Sequence, residues 1–413
     1  MSPPSSRTAP GAPPRARLLG RLLAVLAVVL GTALAGPTPS AHASVTLTRV
    51  SDFGSDPGAL TMYVYRPAGL PAHPPVVVAL HGCTQNAQVY ADNSGLPQRA
   101  EHDGFLLVLA ETGTANNPNK CFNWFQTTDN RRGQGEALSI RQMVAHAVTA
   151  YGADPQRVYV TGLSAGGAMT AVMLAAYPDV FSAGAVVAGL PYDCAADTSP
   201  YTCMNPGVDR TPADWARRVH DAYPSYTGPW PRAAVWYGDQ DTTVAPRNAA
   251  ELRDQWTSLH GLSQTPTRTA VIGPDATRQE QYLAADGTVA VEVDRVPGIG
   301  HGTPVDPGTG GEQCGSTGAP YFLDSICSSR WIARFFGLDT SEPGDPDPGG
   351  GDTVACWTAS NYAHVGAGHA TTGGGYTYAN GSHQNMGLYN TFVTHTLRES
   401  PTGYFTIADT SCP

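Results

Sequence analysis

Residues 158–174, VYVTGLSAGGAMTAVML, decide how the rest of the chain is read. Val158 to Val160 has the β-branched character of a strand, and from Ala165 onward small and apolar residues (Ala168, Met169, Val172, Met173) recur at helical spacing. The change of period falls on Ser164, between Gly162 and Gly166. Small neighbours permit a strained strand-to-helix corner that leaves a serine hydroxyl exposed, the nucleophile elbow G-x-S-x-G. A chain with 46 glycines also produces this pattern by accident, so the corner needs support from elsewhere.

Working outward, strand-like runs occupy 61–67, 76–82, 105–111, 157–162, 183–189, 233–238 and 289–297. Helical patterns lie between them at 136–152, after Ser164 and at 246–261. Near-continuous apolar strands separated by helices predict an α/β fold, a doubly wound and mostly parallel sheet covered on both faces. Ligands of such sheets bind at the carboxyl ends of the strands. The stretch SEPGDPDPGGGDT (341–353) is made of Pro, Gly, Asp and polar residues, and reads as a linker. Its Asp residues lack the spacing of a calcium loop. The expected division is a catalytic domain over 44–340 and a C-terminal module over 354–413.

At the N-terminus, Arg15, Arg17 and Arg21 precede an apolar stretch from Leu22 to Ala35, and an A-x-A site ends at Ala43. This is the pattern of a signal peptide over 1–43. The apolar run is short for a membrane span, and a cleavage site follows it, so export to the extracellular space is expected rather than an anchor. Charged residues make up 14% of the chain, the net charge is −10, and no basic cluster follows the leader. Neither a nucleic-acid nor a membrane partner is expected. Eight cysteines suit an oxidising compartment. They fall as neighbours in sequence, Cys83 with Cys121, Cys194 with Cys203, Cys314 with Cys327 and Cys356 with Cys412, although eight cysteines allow 105 connectivities. No C-x-x-C occurs, which disfavours zinc, and no metal or cofactor is expected.

A serine hydroxyl needs a base, and the base needs an orienting carboxylate; on this type of sheet the order is Ser, Asp or Glu, His. The run AAVWYGDQDTTVAP ends a strand at Gly238 and offers Asp239 and Asp241. Asp241 lies further into the loop, and is preferred; Asp239 reads as a turn-capping residue. Of the later histidines, His260 sits in a helical pattern, whereas His301 lies in the glycine-rich loop VPGIGHGTP after a strand. A tetrahedral oxyanion needs two backbone donors. Ala165 supplies one, and the Cys83 N–H in LHGCTQN is the candidate for the second, with His81 holding that loop by hydrogen bonding. The polar loop 112–135 is long enough to carry function. A bridge at Cys121 would tether it and bring Trp124 beside Cys83 as a wall of the acyl pocket.

The segments LHGCTQ, CFNWF, GLSAGGAMT, YGDQDTTV and GIGHGTP, in this order and spacing, resemble the extracellular polyhydroxybutyrate depolymerase family of esterases, over roughly residues 45–337. Feruloyl and acetylxylan esterases have a similar catalytic domain. The resemblance implies an α/β-hydrolase fold, a triad of Ser164, Asp241 and His301, and Cys83 at the oxyanion loop. It also implies hydrolysis of an insoluble polymer ester, a polyester first and a cell-wall polysaccharide ester as the alternative. A non-catalytic polymer-binding protein on the same scaffold is the reading from another class; turnover of p-nitrophenyl butyrate separates it. The tail resembles modules attached to secreted depolymerases. Its Trp357, Tyr362, Tyr376, Tyr378, Tyr389 and Phe392 could stack on a polymer, but most are expected to form the module's own core. The histidines His364, His369, His383 and His395 there fit no metal spacing.

Overall fold

The structure is a computed structural model that describes residues 44–308, 310–338, 355–399 and 405–409. The expected leader (1–43), the linker (341–353) and Cys412 lie outside the described residues.

A ten-stranded sheet organises the α/β region. In chain order its strands are β1 (Thr48–Val50), β2 (Thr61–Tyr65), β3 (Val76–Leu80), β4 (Leu106–Glu111), β5 (Val158–Leu163), β6 (Ala183–Val187), β7 (Arg232–Gly238), β8 (Arg268–Ile272), β9 (Thr277–Leu283) and β10 (Val289–Val296). They lie side by side as β1-β2-β4-β3-β5-β6-β7-β10-β9-β8. The six central strands, from β4 to β10, run parallel. The margins are antiparallel: β1 and β2 on one side, β9 and β8 on the other. Expectation and structure agree on the centre, and β1, β8 and β9 are additions to it. The strands from β4 to β7 are largely apolar because both faces are covered, whereas β10 carries the buried Glu292 and Asp294. On β3, Val76, Val78 and Leu80 enter the core on one face, while Val77 and Ala79 enter the core on the other. The alternation follows from the two-residue period of a strand.

Helices Gly135–Tyr151, Ala165–Ala176 and Arg247–Leu259 stand where helical patterns are expected. Every residue of Ala165–Ala176 is buried, which accounts for its uniformly small and apolar sequence. Three expected disulfides are formed: Cys83–Cys121, Cys194–Cys203 and Cys314–Cys327. Cys356 is also disulfide-bonded.

The C-terminal region contains two three-stranded sheets, one from Ala355–Ser360, Thr394–Glu399 and Phe405–Ile407, the other from Ala370–Gly373, Tyr376–Ala379 and Asn385–Leu388. Ala370, Ala379, Met386, Leu397 and Phe405 form its small core, with Trp357 packed against it. The expectation that most of its aromatics are core is corrected here. Tyr362, Tyr376, Tyr389 and Phe392 are exposed, and Phe392 is 89% accessible. The sheets are too small to cover so many rings; Phe405 alone among the described rings joins the alanines, Met386 and Leu397 in the core cluster.

Candidate active site

At the end of β5 the chain turns through Ser164 with φ 57° and ψ −114°, a positive φ that costs a non-glycine residue of the order of 1–3 kcal/mol. The corner is fixed from both sides: the Ser164 N–H donates to the Val187 carbonyl at 2.9 Å, and the Ser164 carbonyl accepts from the Ala168 N–H at 2.8 Å. A Cβ on Gly162 would lie 2.6 Å from the Gly166 carbonyl carbon, and one on Gly166 would lie 2.2 Å from the Leu80 oxygen. The glycines are therefore required by close backbone approach, not by composition. Ser164 caps the helix without using its side chain, so its hydroxyl is not spent on the helix.

A second close approach brings Asp241 and His301 together. A Cβ on Gly238, at the end of β7, would lie 2.4 Å from the Ile299 carbonyl oxygen and 2.5 Å from that of Gly300. Across this narrow gap the Gln240 N–H donates to the Ile299 carbonyl at 3.0 Å. Asp241 is buried. One carboxylate oxygen accepts the N–H groups of Thr243 and Val244, both at 2.8 Å; the other lies 2.7 Å from His301 Nδ1. That bonding assigns the proton to Nδ1 and leaves the Nε2 lone pair free to take another. Asp239 instead receives Arg295 at 2.7 Å and the Gly298 N–H at 2.8 Å. It is more than a turn cap: it braces the loop that leads to His301. The Arg295 guanidinium, first among its partners, holds the Asp239 carboxyl below its usual range. His260 caps its helix and bonds the Pro231 carbonyl, remote in role from these loops. Among the described residues no hydrogen bond joins the Ser164 hydroxyl to His301; such contacts are often long without substrate.

Ser164, Ala165, Cys83, Cys121 and Trp124 line one cavity of about 340 Å³. The Cys83–Cys121 bridge joins its two loops, and the Thr84 N–H donates to the Asn119 carbonyl at 2.7 Å. His81 holds the Cys83 loop, bonding the Gly82 carbonyl through Nδ1 at 2.7 Å and accepting the Thr112 N–H at Nε2. Burial lowers its pKa to about 4, so it stays neutral and cannot compete as a base near pH 7. Trp124 is buried in the fold and also meets the cavity, packing edge-on to Phe125.

Two features of the site were not legible in the sequence. Glu136, fully buried, accepts the Asn123 N–H at 2.7 Å and so fixes the Trp124 loop from behind. Its burial raises its pKa to about 8. Leu190, Pro200, Tyr201 and Met204 also line the cavity. The short Cys194–Cys203 spacing was the available signal for that stapled segment.

The Esterase PHB depolymerase family matches residues 59–280. A poly(3-hydroxyalkanoate) depolymerase C of Paucimonas lemoignei is 50% identical over 301 residues, 72% of each chain. An acetylxylan esterase of Coprinopsis cinerea is 37% identical, over 65% of this chain and 72% of its own length. Among solved structures, an acetyl xylan esterase from Aspergillus awamori superposes with a TM-score of 0.60 at 28% identity, covering 71% of this chain and all of that one. A corner glycine pattern, a buried Asp–His pair and 50% identity to a depolymerase over 72% of each chain converge on one conclusion: the chain belongs to the Esterase PHB depolymerase family.

Proposed function

We propose that the protein is a secreted serine esterase that cleaves a poly(3-hydroxybutyrate)-type polyester through an acyl-enzyme. The observation that carries the mechanism is the 2.7 Å Asp241–His301 bond, with Val244 of the Asp241 loop lining the same cavity as Ser164. In this reading His301 Nε2 takes the Ser164 proton as the hydroxyl attacks the ester carbonyl. The oxyanion is received by the N–H groups of Cys83 and Ala165, and His301 returns the proton to the leaving alcohol. Water then repeats the cycle on the acyl-serine. Trp124 forms a wall for the acyl group. Ser164→Ala is expected to lose at least about four orders of magnitude in kcat on p-nitrophenyl butyrate. Retained turnover would break the assignment.

The C-terminal region supports attachment to an insoluble substrate. Tyr362 and Tyr389 lie with ring centroids 5.6 Å apart, Tyr376 pairs across strands with Leu388, and all four are exposed. Residues 353–397 contain no Asp, Glu, Lys or Arg, so the region offers aromatic area without formal charge to an uncharged solid. The proposed reading keeps the expected parts: leader 1–43, catalytic domain 44–340, linker 341–353 and binding module 354–413, closed by Cys356–Cys412.

A second reading is a feruloyl or acetylxylan esterase, favoured by the structural likeness to the Aspergillus awamori enzyme. Clearing of a polyhydroxybutyrate emulsion, set against release from feruloylated or acetylated xylan, decides between them.

A further inference from the structure

The loop that follows the catalytic base contains an aromatic residue in a costly conformation. Tyr321 has φ 69°, a left-handed value that favours glycine and is rare for a bulky side chain. Backbone strain of this kind persists only where the surroundings over-determine it. Here three constraints do so. The Cys314–Cys327 disulfide closes the loop around Tyr321. Phe322–Asp324 pairs in parallel with Thr303–Val305, the strand that leaves His301. The Tyr321 carbonyl accepts the Thr303 N–H at 2.7 Å, and a Cβ on Gly302 would come within 2.8 Å of that carbonyl.

The strained residue aims its ring at the base. Tyr321 and His301 meet edge to face, with ring centroids 6.0 Å apart and planes at 74°. That separation falls inside the range where aromatic pairs attract. Tyr321 itself remains 41% exposed, so the ring is not there to fill the core, while the His301 side chain beneath it is only 10% exposed. The same segment also reaches the oxyanion loop. Gln85 donates to the Pro320 carbonyl at 3.1 Å and accepts the Gly82 N–H at 2.9 Å.

We infer that Tyr321 is a positioning residue: its ring covers the solvent side of His301 and holds the imidazole between Asp241 and Ser164, and the fold tolerates a strained backbone to put it there. This rests on the triad proposed above. Asp241 fixes only one ring nitrogen of His301, which leaves the imidazole free to swing about that bond; an aromatic wall removes the swing. A misplacement of about 1 Å at such a group costs up to roughly a hundredfold in rate.

The test compares Tyr321→Phe, Tyr321→Ala and Tyr321→Gly in the full chain, with kcat and KM on p-nitrophenyl butyrate and a thermal melt for each. Tyr321→Phe keeps the ring and is expected to stay within about twofold of wild type. Tyr321→Ala and Tyr321→Gly are both expected to lose roughly tenfold or more in kcat with KM nearly unchanged. Glycine relaxes the positive φ that alanine retains, so Tyr321→Gly should melt above Tyr321→Ala although it is no more active. Activity then follows the ring and stability follows the backbone. Wild-type kcat in Tyr321→Ala, a rise confined to KM, or recovery of kcat in Tyr321→Gly would each overturn the inference. Ser164→Ala, measured alongside, separates the two claims, because full activity in that variant breaks the triad itself.

Discussion

The α/β region and the C-terminal region treat their aromatic residues in opposite ways. In the first, Trp215, Trp236 and Trp256 are completely enclosed. In the second, Tyr362, Tyr376, Tyr389 and Phe392 stand in solvent around a small core in which Phe405 is joined by alanine, methionine and leucine. Enclosed rings stabilise a shape, whereas exposed rings remain available for another surface, and large exposed apolar groupings mark interaction sites. On the proposed reading the contrast separates two jobs, a rigid scaffold that sets atoms within hydrogen-bond distance and an aromatic face that would adhere to a polymer.

The sharpest way to break that separation is at Ser164, the proposed nucleophile. Ser164→Ala should remove soluble-ester turnover by at least about four orders of magnitude and leave binding to polymer granules intact, as measured by sedimentation. Loss of both together would mean that the regions are not independent in function. Next in size, Asp241→Asn should lower kcat by about 10⁴, because the histidine would be held in the wrong tautomer. Asp239→Asn, which only loosens the Arg295 brace, should cost far less, and a reversed ranking on p-nitrophenyl butyrate would reassign the acid. A full-length Tyr362→Ser/Phe392→Ser variant should bind granules roughly tenfold more weakly while its kinetics on a soluble ester stay as in wild type. Trp124→Ala should reduce kcat/KM on the soluble ester without unfolding the chain, as checked by a melt; unchanged kinetics would remove Trp124 from the pocket.

The smallest effect is electrostatic. Buried Glu136 keeps its proton up to about pH 8, whereas the unfolded chain releases it near the ordinary carboxyl value. The folded state therefore binds the extra proton between these limits. The stabilisation is full below pH 4.5 and is lost as pH rises through about 8. Glu136→Gln should flatten the stability–pH curve in that window by about one proton's slope, and an unchanged slope in denaturant titrations would refute it.

Much of the central fold was legible because its signals are local. Gly162, Ser164 and Gly166 announce a corner, and Val76–Leu80 announces a strand covered on both faces. The antiparallel margin was not legible, because β9, TRQEQYL, has polar side chains that find partners only across the sheet. Gln281 bonds Glu292, and Gln279 bonds Asp294. Nothing along one strand reveals a partner on another. Asp241 and His301 could be chosen by position after a strand, but the reason they meet is the Gly238–Ile299 approach, which joins distant parts of the chain. Tyr321 escaped notice for the same reason. Its strain belongs to a backbone angle, and its target lies on the neighbouring strand's loop. In the tail, four of the six aromatic residues singled out in the sequence face solvent while Phe405, not among them, enters the core, because facing is set by which sheet face is packed.

The Cys83–Cys121 bridge also bears on timing. One of the two amides proposed to receive the oxyanion belongs to a residue whose side chain is covalently tied to the opposite loop. While thiols are kept reduced, that tie is absent, and the loop carrying the amide and the loop carrying Trp124 keep only non-covalent contacts, such as the Thr84 to Asn119 hydrogen bond and the packing of His81 on Phe122. A chain still inside a reducing cytoplasm would then hold its nucleophile ready beside an unfinished oxyanion site. Oxidation would complete the catalyst after synthesis, and would spare esters inside the producing cell without any inhibitor or removable segment.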